Sequence, residues 1–393
     1  VRILFATDWI GGGGVLSYLA AVVPALAARG HEVALLHDEA DGAAQAPAAA
    51  SPRICVERAG MDGAMAAAAA WAPDVVFSHN MRPLEAERRL LDRWPVVKMM
   101  HAYAGTCIGG QKTHLFPHPR PCGRRFGPAC LALYIPRRNG PLDPGYVARE
   151  WRWANEQREL FARYSAVVTA SAHMRSEYVR NGVPQARAHA IPLFSTIPVA
   201  AEGEVAAPDG FRVIFIGRMT RLKGGDLLVR AAARAGEASG IPISLTLCGE
   251  GPQRAEWQAL ARSLGVAAEF PGWVGGDERL RLLRAASLAA VPSIWPEPFG
   301  LVGLEAASQG VPALAFDVGG IGEWLADGVN GRLVPGDPPR MEALAYALAW
   351  LAAHPAELAA MRPRALEAAR RMSLDAHVAG VERVLADAAA GRG

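Results

Sequence analysis

The chain has 393 residues, 51% apolar and 20% charged, with a net charge of +3. At roughly 100–200 residues per domain it has material for two or three domains, and the composition excludes a disordered chain, a collagen, a coiled coil and a small disulfide scaffold. No window approaches the roughly 18 uninterrupted apolar residues of a transmembrane helix. The opening VRILFATD reads as a buried strand rather than a secretory leader, and five cysteines, an odd number, point to a reducing compartment. The expectation is a cytoplasmic, multi-domain protein.

Short apolar runs alternate with longer helical patterns, as in parallel sheets covered by helices. Residues 2–7 predict a strand, 15–29 a helix and 32–36 a second strand. Residues 61–71, ending in AMAAAAAW, form a strong helical tract by propensity, and 74–78 and 96–100 read as strands. After His101 the period is lost for about 40 residues rich in Gly, Pro, Arg and Cys, a length that marks a functional or mobile loop. A helix over 146–164, a strand over 166–170 and a helix over 173–181 follow. The Pro- and Ala-rich stretch 192–208 marks a domain boundary, dividing the chain into 1–200 and 205–372.

The second series runs strand 211–217, helix 222–235, strand 244–249, helix 253–264, strand 268–271, helix 277–285 and strand 288–292. A helix after Gly300, a strand over 312–316 and further helices complete it. Two doubly wound α/β sheets facing each other would hold a ligand in the cleft beyond their strands' carboxyl ends.

Charge is unevenly placed. Between Arg93 and Leu142 stand eight cations (Arg93, Lys98, Lys112, Arg120, Arg124, Arg125, Arg137, Arg138) and no Asp or Glu. Such a run is either a solvated loop face or a surface for phosphate or an anionic membrane. In the same stretch Cys107, Cys122 and Cys130 accompany His114 and His118, but spacings of 15 and 8 do not form paired Cys-x-x-Cys knuckles. Reduced thiols packing a loop are expected there rather than a metal.

Several motifs carry chemistry. Gly11 to Gly14 follow the first strand and open a helix, where free N–H groups favour an anion. A dinucleotide fingerprint competes, since Asp38 ends the second strand, but Leu16 or Ser17 occupies the third glycine's place. Gly217-Arg218 and Lys223-Gly224 put a planar fork and a point charge beyond a strand, where both can converge on a diphosphate. In Glu297-Pro-Phe-Gly-Leu-Val-Gly-Leu-Glu305, two carboxylates straddle a loop-to-helix junction among apolar neighbours. Burying such charges costs free energy unless something pairs with them, and a carboxylate accepts bonds from two adjacent sugar hydroxyls at once. Trp273, Trp295 and Trp324 read as core residues, those near Glu297 lining the cleft.

Together with Gly13-Gly14-Val15, Cys248-Gly-Glu-Gly-Pro252, Gly272-Trp273-Val274 and Gly319-Gly320…Glu323…Asp327-Gly328…Asn330-Gly331, this series resembles the family 4 retaining glycosyltransferases of the GT-B fold over almost the whole chain. The resemblance implies two Rossmann-like domains about a central cleft, an acceptor-binding first and a donor-binding second, with a terminal helix over 373–390 crossing back to the first. It gives Glu305 the nucleotide ribose hydroxyls and Glu297 the donor-sugar hydroxyls. Arg218 and Lys223 would clamp the departing diphosphate, and Phe299, Gly300, Leu301 and Val302 would offer backbone N–H groups to sugar and phosphate. Val274 would lie against the nucleobase, Gly13 and Gly14 would close on the diphosphate, and His101 would stand beside the donor sugar. The first domain matches only at its glycine turn, at residues 30–33 and at His101, which leaves acceptor recognition open.

The implied reaction moves a hexosyl group from a UDP- or GDP-linked sugar to an alcohol on a glycan or lipid-linked acceptor, with retention. It needs no cofactor, metal or nucleic acid, and peripheral contact with an anionic membrane fits the basic stretch. A nicotinamide-dependent oxidoreductase and a non-catalytic sugar-nucleotide-binding relative are the alternatives.

Overall fold

The computed structural model describes residues 1–8, 14–38, 47–201 and 210–391. The first half contains β1 (Arg2–Thr7), α1 (Gly14–Ala28), β2 (Glu32–His37), β3 (Arg53–Cys55), α2 (Val56–Trp71), β4 (Val75–Ser78), α3 (Leu84–Leu91) and β5 (Val96–Met100). It continues through a small hairpin, β6 (Thr113–His114) and β7 (Arg120–Pro121), to α4 (Ala129–Tyr134), α5 (Pro144–Glu159), β8 (Ala166–Thr169), α6 (Ala172–Arg180) and β9 (Ala188–Ala190). Seven parallel strands in the order β3-β2-β1-β4-β5-β8-β9 form its sheet. Residues such as Ile3, Phe5, Val75, Phe77, Val97 and Val168 are fully buried, as a sheet covered on both faces requires.

The second half contains β10 (Phe211–Ile216), α7 (Gly225–Ser239), β11 (Ile243–Cys248), α8 (Arg254–Ser263), β12 (Ala268–Gly272), α9 (Gly276–Arg284) and β13 (Leu288–Val291). It ends with α10 (Leu301–Ala307), β14 (Ala313–Asp317), β15 (Gly331–Pro335), α11 (Met341–Ala353), α12 (Pro355–Arg371) and α13 (Leu374–Ala389). Its six parallel strands run β12-β11-β10-β13-β14-β15. In both sheets the order reverses beside the first strand, between β1 and β4 and between β10 and β13. Those two switch points open the crevices in which such sheets take ligands.

α13 packs on the first sheet: Val378, Val381, Leu385 and Ala388 share a buried cluster with Ile3, Phe5, Leu19 and Val22. Ser373 Oγ caps it, accepting from Ala376 N at 3.1 Å, and Glu382 pins it to Arg29 at 2.6 Å and His31 at 2.8 Å.

The structure departs from expectation at three places. The helix expected over 222–235 is split. Arg221–Lys223 form a tight 3-10 turn, Gly224 adopts φ 66°, and α7 starts only at Gly225. A side chain at Gly224 would run into the carbonyl oxygen of Pro292, so only glycine fits this left-handed turn against the end of β13. The aperiodic stretch after His101 is no bare loop. It holds the β6–β7 hairpin and α4 over a core of its own, with Ile108, Phe126, Tyr134, Val147 and Ala154 buried together. Trp324 is core, 4% exposed, and Trp295 half-buried, but Trp273 stands out at 79% exposure.

Candidate active site

At the second switch point the chain leaves β13 through residues 292–300 and enters α10. Gly300, at φ 80°, makes the turn, and the indole of Trp324 holds it by donating from Nε1 to Phe299 O at 2.7 Å. Glu297, before the turn, is 5% exposed. Its Oε1 accepts from Lys223 Nζ at 2.6 Å and from Ser293 Oγ, and the ammonium lies 5.4 Å from the centre of the Trp295 ring. Glu305, on α10, is 3% exposed. One of its oxygens accepts from Thr196 Oγ1 at 2.8 Å and the other from Arg279. Burial pushes the Glu305 carboxyl above the usual carboxylate range, opposed by Arg279 and Thr196. Each buried carboxylate thus has a cation and a hydroxyl, the pairing that keeps such charges tolerable in an apolar wall.

The remaining predicted donor residues lie on nearby segments of the second half. Leu301 and Val302 are the first residues of α10, Val274 is buried after β12, and Arg218 is exposed on the loop from β10 to α7. At the first switch point, Gly14 opens α1, whereas Gly13 lies outside the described residues.

His101 follows β5, its Nε2 3.0 Å from Nδ1 of the buried His79. Lys98, one strand turn below, pairs with Glu87 at 3.0 Å. Burial, reinforced by the charges of Lys98 and His377, pushes the His101 imidazole down to about 4, so it is neutral near pH 7. Gly14, His79, Arg82, His101 and Trp153 line a cavity of about 460 Å³.

The two halves meet across the cleft. Tyr103 of the first stands edge-on to Trp295 of the second, 6.2 Å between ring centres, Ala172 N donates to Glu323 Oε1 at 2.6 Å, and Arg120 lies 3.3 Å from Asp337. His101, two residues before Tyr103, lines the first-domain cavity instead, with His79 and Arg82.

Ser293, Thr196, Arg279, His79 and Tyr103 were not legible as site residues in the sequence. Ser293 lies four residues before Glu297, which is the one local signal; the others come from a linker, a helix surface and separate strand ends. Of the eight cations in 93–142, Lys98 and Lys112 are buried ion pairs, Lys112 with Glu177 at 2.7 Å, so carboxylates from outside the stretch answer part of its charge. Cys107, Cys122, Cys130 and His114 line one small cavity, yet among the described residues no three His, Cys, Asp or Glu are placed to hold a metal ion.

The profile of the family described as Glycosyltransferase Family 4 matches residues 12–194, and that of Glycosyl transferases group 1 matches 201–371. A D-inositol 3-phosphate glycosyltransferase of Salinispora arenicola is 32% identical over 300 residues, covering 73% of this chain and 63% of its own length. One of Rhodococcus erythropolis is 41% identical over 172 residues, 41% of this chain and 38% of its own length. The matched region thus spans less than two thirds of these relatives. Among solved structures, Anabaena Alr3699/HepE in complex with UDP superposes with a TM-score of 0.71 at 19% identity, covering 98% of this chain and 100% of that one. Sucrose-phosphate synthase of Thermosynechococcus elongatus gives 0.72 at 19% identity, covering 99% of each chain. None of these comparisons supports the nicotinamide reading of the first glycine turn. The two profiles meet at the linker between the sheets and the Glu297–Glu305 junction lies inside the second: the chain belongs to the family 4 glycosyltransferases and has the GT-B fold.

Proposed function

We propose that the protein transfers a hexosyl group from a nucleoside diphosphate sugar to an alcohol acceptor with retention of anomeric configuration. The observation that carries this reading is the junction at the end of β13, where Glu297 and Glu305 are both buried and each is paired with a cation and a hydroxyl. A ribose diol at Glu305 and sugar hydroxyls at Glu297 would exchange with Thr196 and Ser293 without leaving a buried charge unanswered. The relative solved with UDP supports a uridine nucleotide, and the relatives named for D-inositol 3-phosphate support a polyhydroxyl acceptor.

In the reaction the bond from the sugar C1 to the diphosphate oxygen breaks and a bond from the acceptor oxygen to C1 forms on the same face. The acceptor proton passes to the departing diphosphate. Lys223 and Arg218, with the N–H groups opening α10, would gather the charge that develops there, the largest share of stabilisation in such a step. Neutral His101 would offer a hydrogen bond to the sugar from the first domain without adding charge. Incubation with UDP-hexoses and polyol acceptors, followed by NMR of the anomeric proton, tests the reading. A product with the donor's anomeric configuration supports it, and an inverted product overturns it.

A further inference from the structure

The small lobe between β5 and α5 exposes apolar side chains that its own core leaves out. Phe116 is 50% exposed, Leu131 40%, Ile135 52% and Leu142 52%, although Ile108, Phe126 and Tyr134 beneath them are fully packed. Exposed large apolar groups in one small lobe mark a contact surface rather than scatter. Phe116, Leu131 and Ile135 also share a face. Leu131, Ile135 and Arg138 follow at helical spacing along α4 and the turn that continues it, where Arg137 N bonds to Leu133 O and Arg138 N to Ile135 O. The Arg138 guanidinium lies 5.4 Å from the centre of the Phe116 ring, and Phe116 N bonds back to Arg137 O.

The lobe itself contributes cations and no carboxylate. The 50 residues from Arg93 to Leu142 carry no carboxylate. Lys98, Lys112 and Arg120 are matched by Glu87, Glu177 and Asp337, none of them in the stretch, while Arg124, Arg125 and Arg138 are exposed on the lobe, Arg138 against Phe116.

We propose that this lobe docks on an anionic lipid bilayer, with Phe116, Leu131 and Ile135 entering the headgroup boundary and Arg124, Arg125 and Arg138 meeting lipid phosphates. Exposed apolar groups on a lobe whose own charges are all cationic fit such an interface better than a protein surface of mixed charge. The lobe lies beside the first-domain cavity, since Trp153 both lines that cavity and packs against the lobe core. Docking would therefore hold the cavity next to the membrane surface.

The test is sedimentation with vesicles of phosphatidylcholine containing one third phosphatidylglycerol, against vesicles of phosphatidylcholine alone, at low and high salt. The full chain should bind the anionic vesicles and lose them as salt rises. Arg124→Gln with Arg125→Gln and Arg138→Gln should weaken partitioning about 5-fold per cation. Phe116→Ser with Leu131→Ser and Ile135→Ser should weaken it at every salt concentration. Thermal unfolding and nucleotide titration of both variants should match the parent, because neither set touches the donor junction. That separates failure here from failure of the functional reading. No binding to anionic vesicles, or an apolar variant that binds as tightly as the parent, overturns the proposal. So does a parent dimer that the apolar variant turns into a monomer without any vesicle binding.

Discussion

Lys223 Nζ and Glu297 Oε1 stand 2.6 Å apart, joining the 3-10 turn after β10 to the loop after β13. The cation proposed for the diphosphate and the carboxylate proposed for the sugar thus pair with each other. A donor that takes both groups must also take their pairing apart, and its hydroxyls and phosphates replace what is lost.

Lys223→Ala should therefore act twice. Turnover at saturating donor should fall by about 2–4 kcal/mol of transition-state stabilisation, the size of losing one preorganised donor at a developing anion. Folding stability should fall as well, since Glu297 stays buried with Ser293 alone. Adding Glu297→Gln should restore the stability, read by chemical denaturation, and leave turnover low. Unchanged turnover in Lys223→Ala removes the lysine from the clamp.

Gly224→Ala should destabilise by about 1–3 kcal/mol from the left-handed backbone alone, and further from the collision with Pro292 O. Because the same turn aims Lys223, donor affinity should drop with it. Denaturation and nucleotide titration of one sample read both effects.

Acid should weaken the fold through His377. Its Nδ1 lies 2.7 Å from Pro192 O and must donate, so its Nε2 accepts from Tyr18 O–H at 2.9 Å, an arrangement complete in the neutral ring. Burial lowers this imidazole from 6.5 to about 4, against the raising effect of the Pro192 bond. The unfolded chain then binds more protons between those values, and stability falls as pH drops through that window, by roughly 2 kcal/mol at pH 5. His377→Phe should reduce the dependence between pH 7 and 5 by about that amount, leaving the share of His79 and His101, which burial lowers as well.

Activity should survive EDTA. In the proposed site Lys223 and Arg218 would supply the positive charge that a divalent ion would otherwise bring to the diphosphate. Loss of activity in chelator, restored by magnesium or manganese, would assign that charge to a metal.

Much of the fold was legible because parallel strands covered on both faces read as continuous apolar runs, as in 2–7, 96–100 and 211–216. β3 and β9, three residues each, carry too few residues for a period, and α3 (LEAERRLL) hides a narrow apolar stripe among charges. In the site, the carboxylate pair and Lys223 stood out because charge amid apolar residues needs a reason. Thr196 and Arg279 did not, because what makes them site residues is contact with Glu305 across 109 and 26 positions. The basic stretch shows the same limit: Lys98 and Lys112 count as surface charge in the sequence and are interior ion pairs in the fold.

The carboxylate junction is tested most directly by calorimetric titration of UDP, GDP, ADP and TDP into the parent chain and into Glu305→Gln. One of the four should bind the parent, and the substitution should weaken it about tenfold, the difference between charge-assisted and neutral hydrogen bonds to the ribose. If none of them binds, or if Glu305→Gln binds like the parent, the junction at the end of β13 holds no nucleotide and the proposed donor site is wrong.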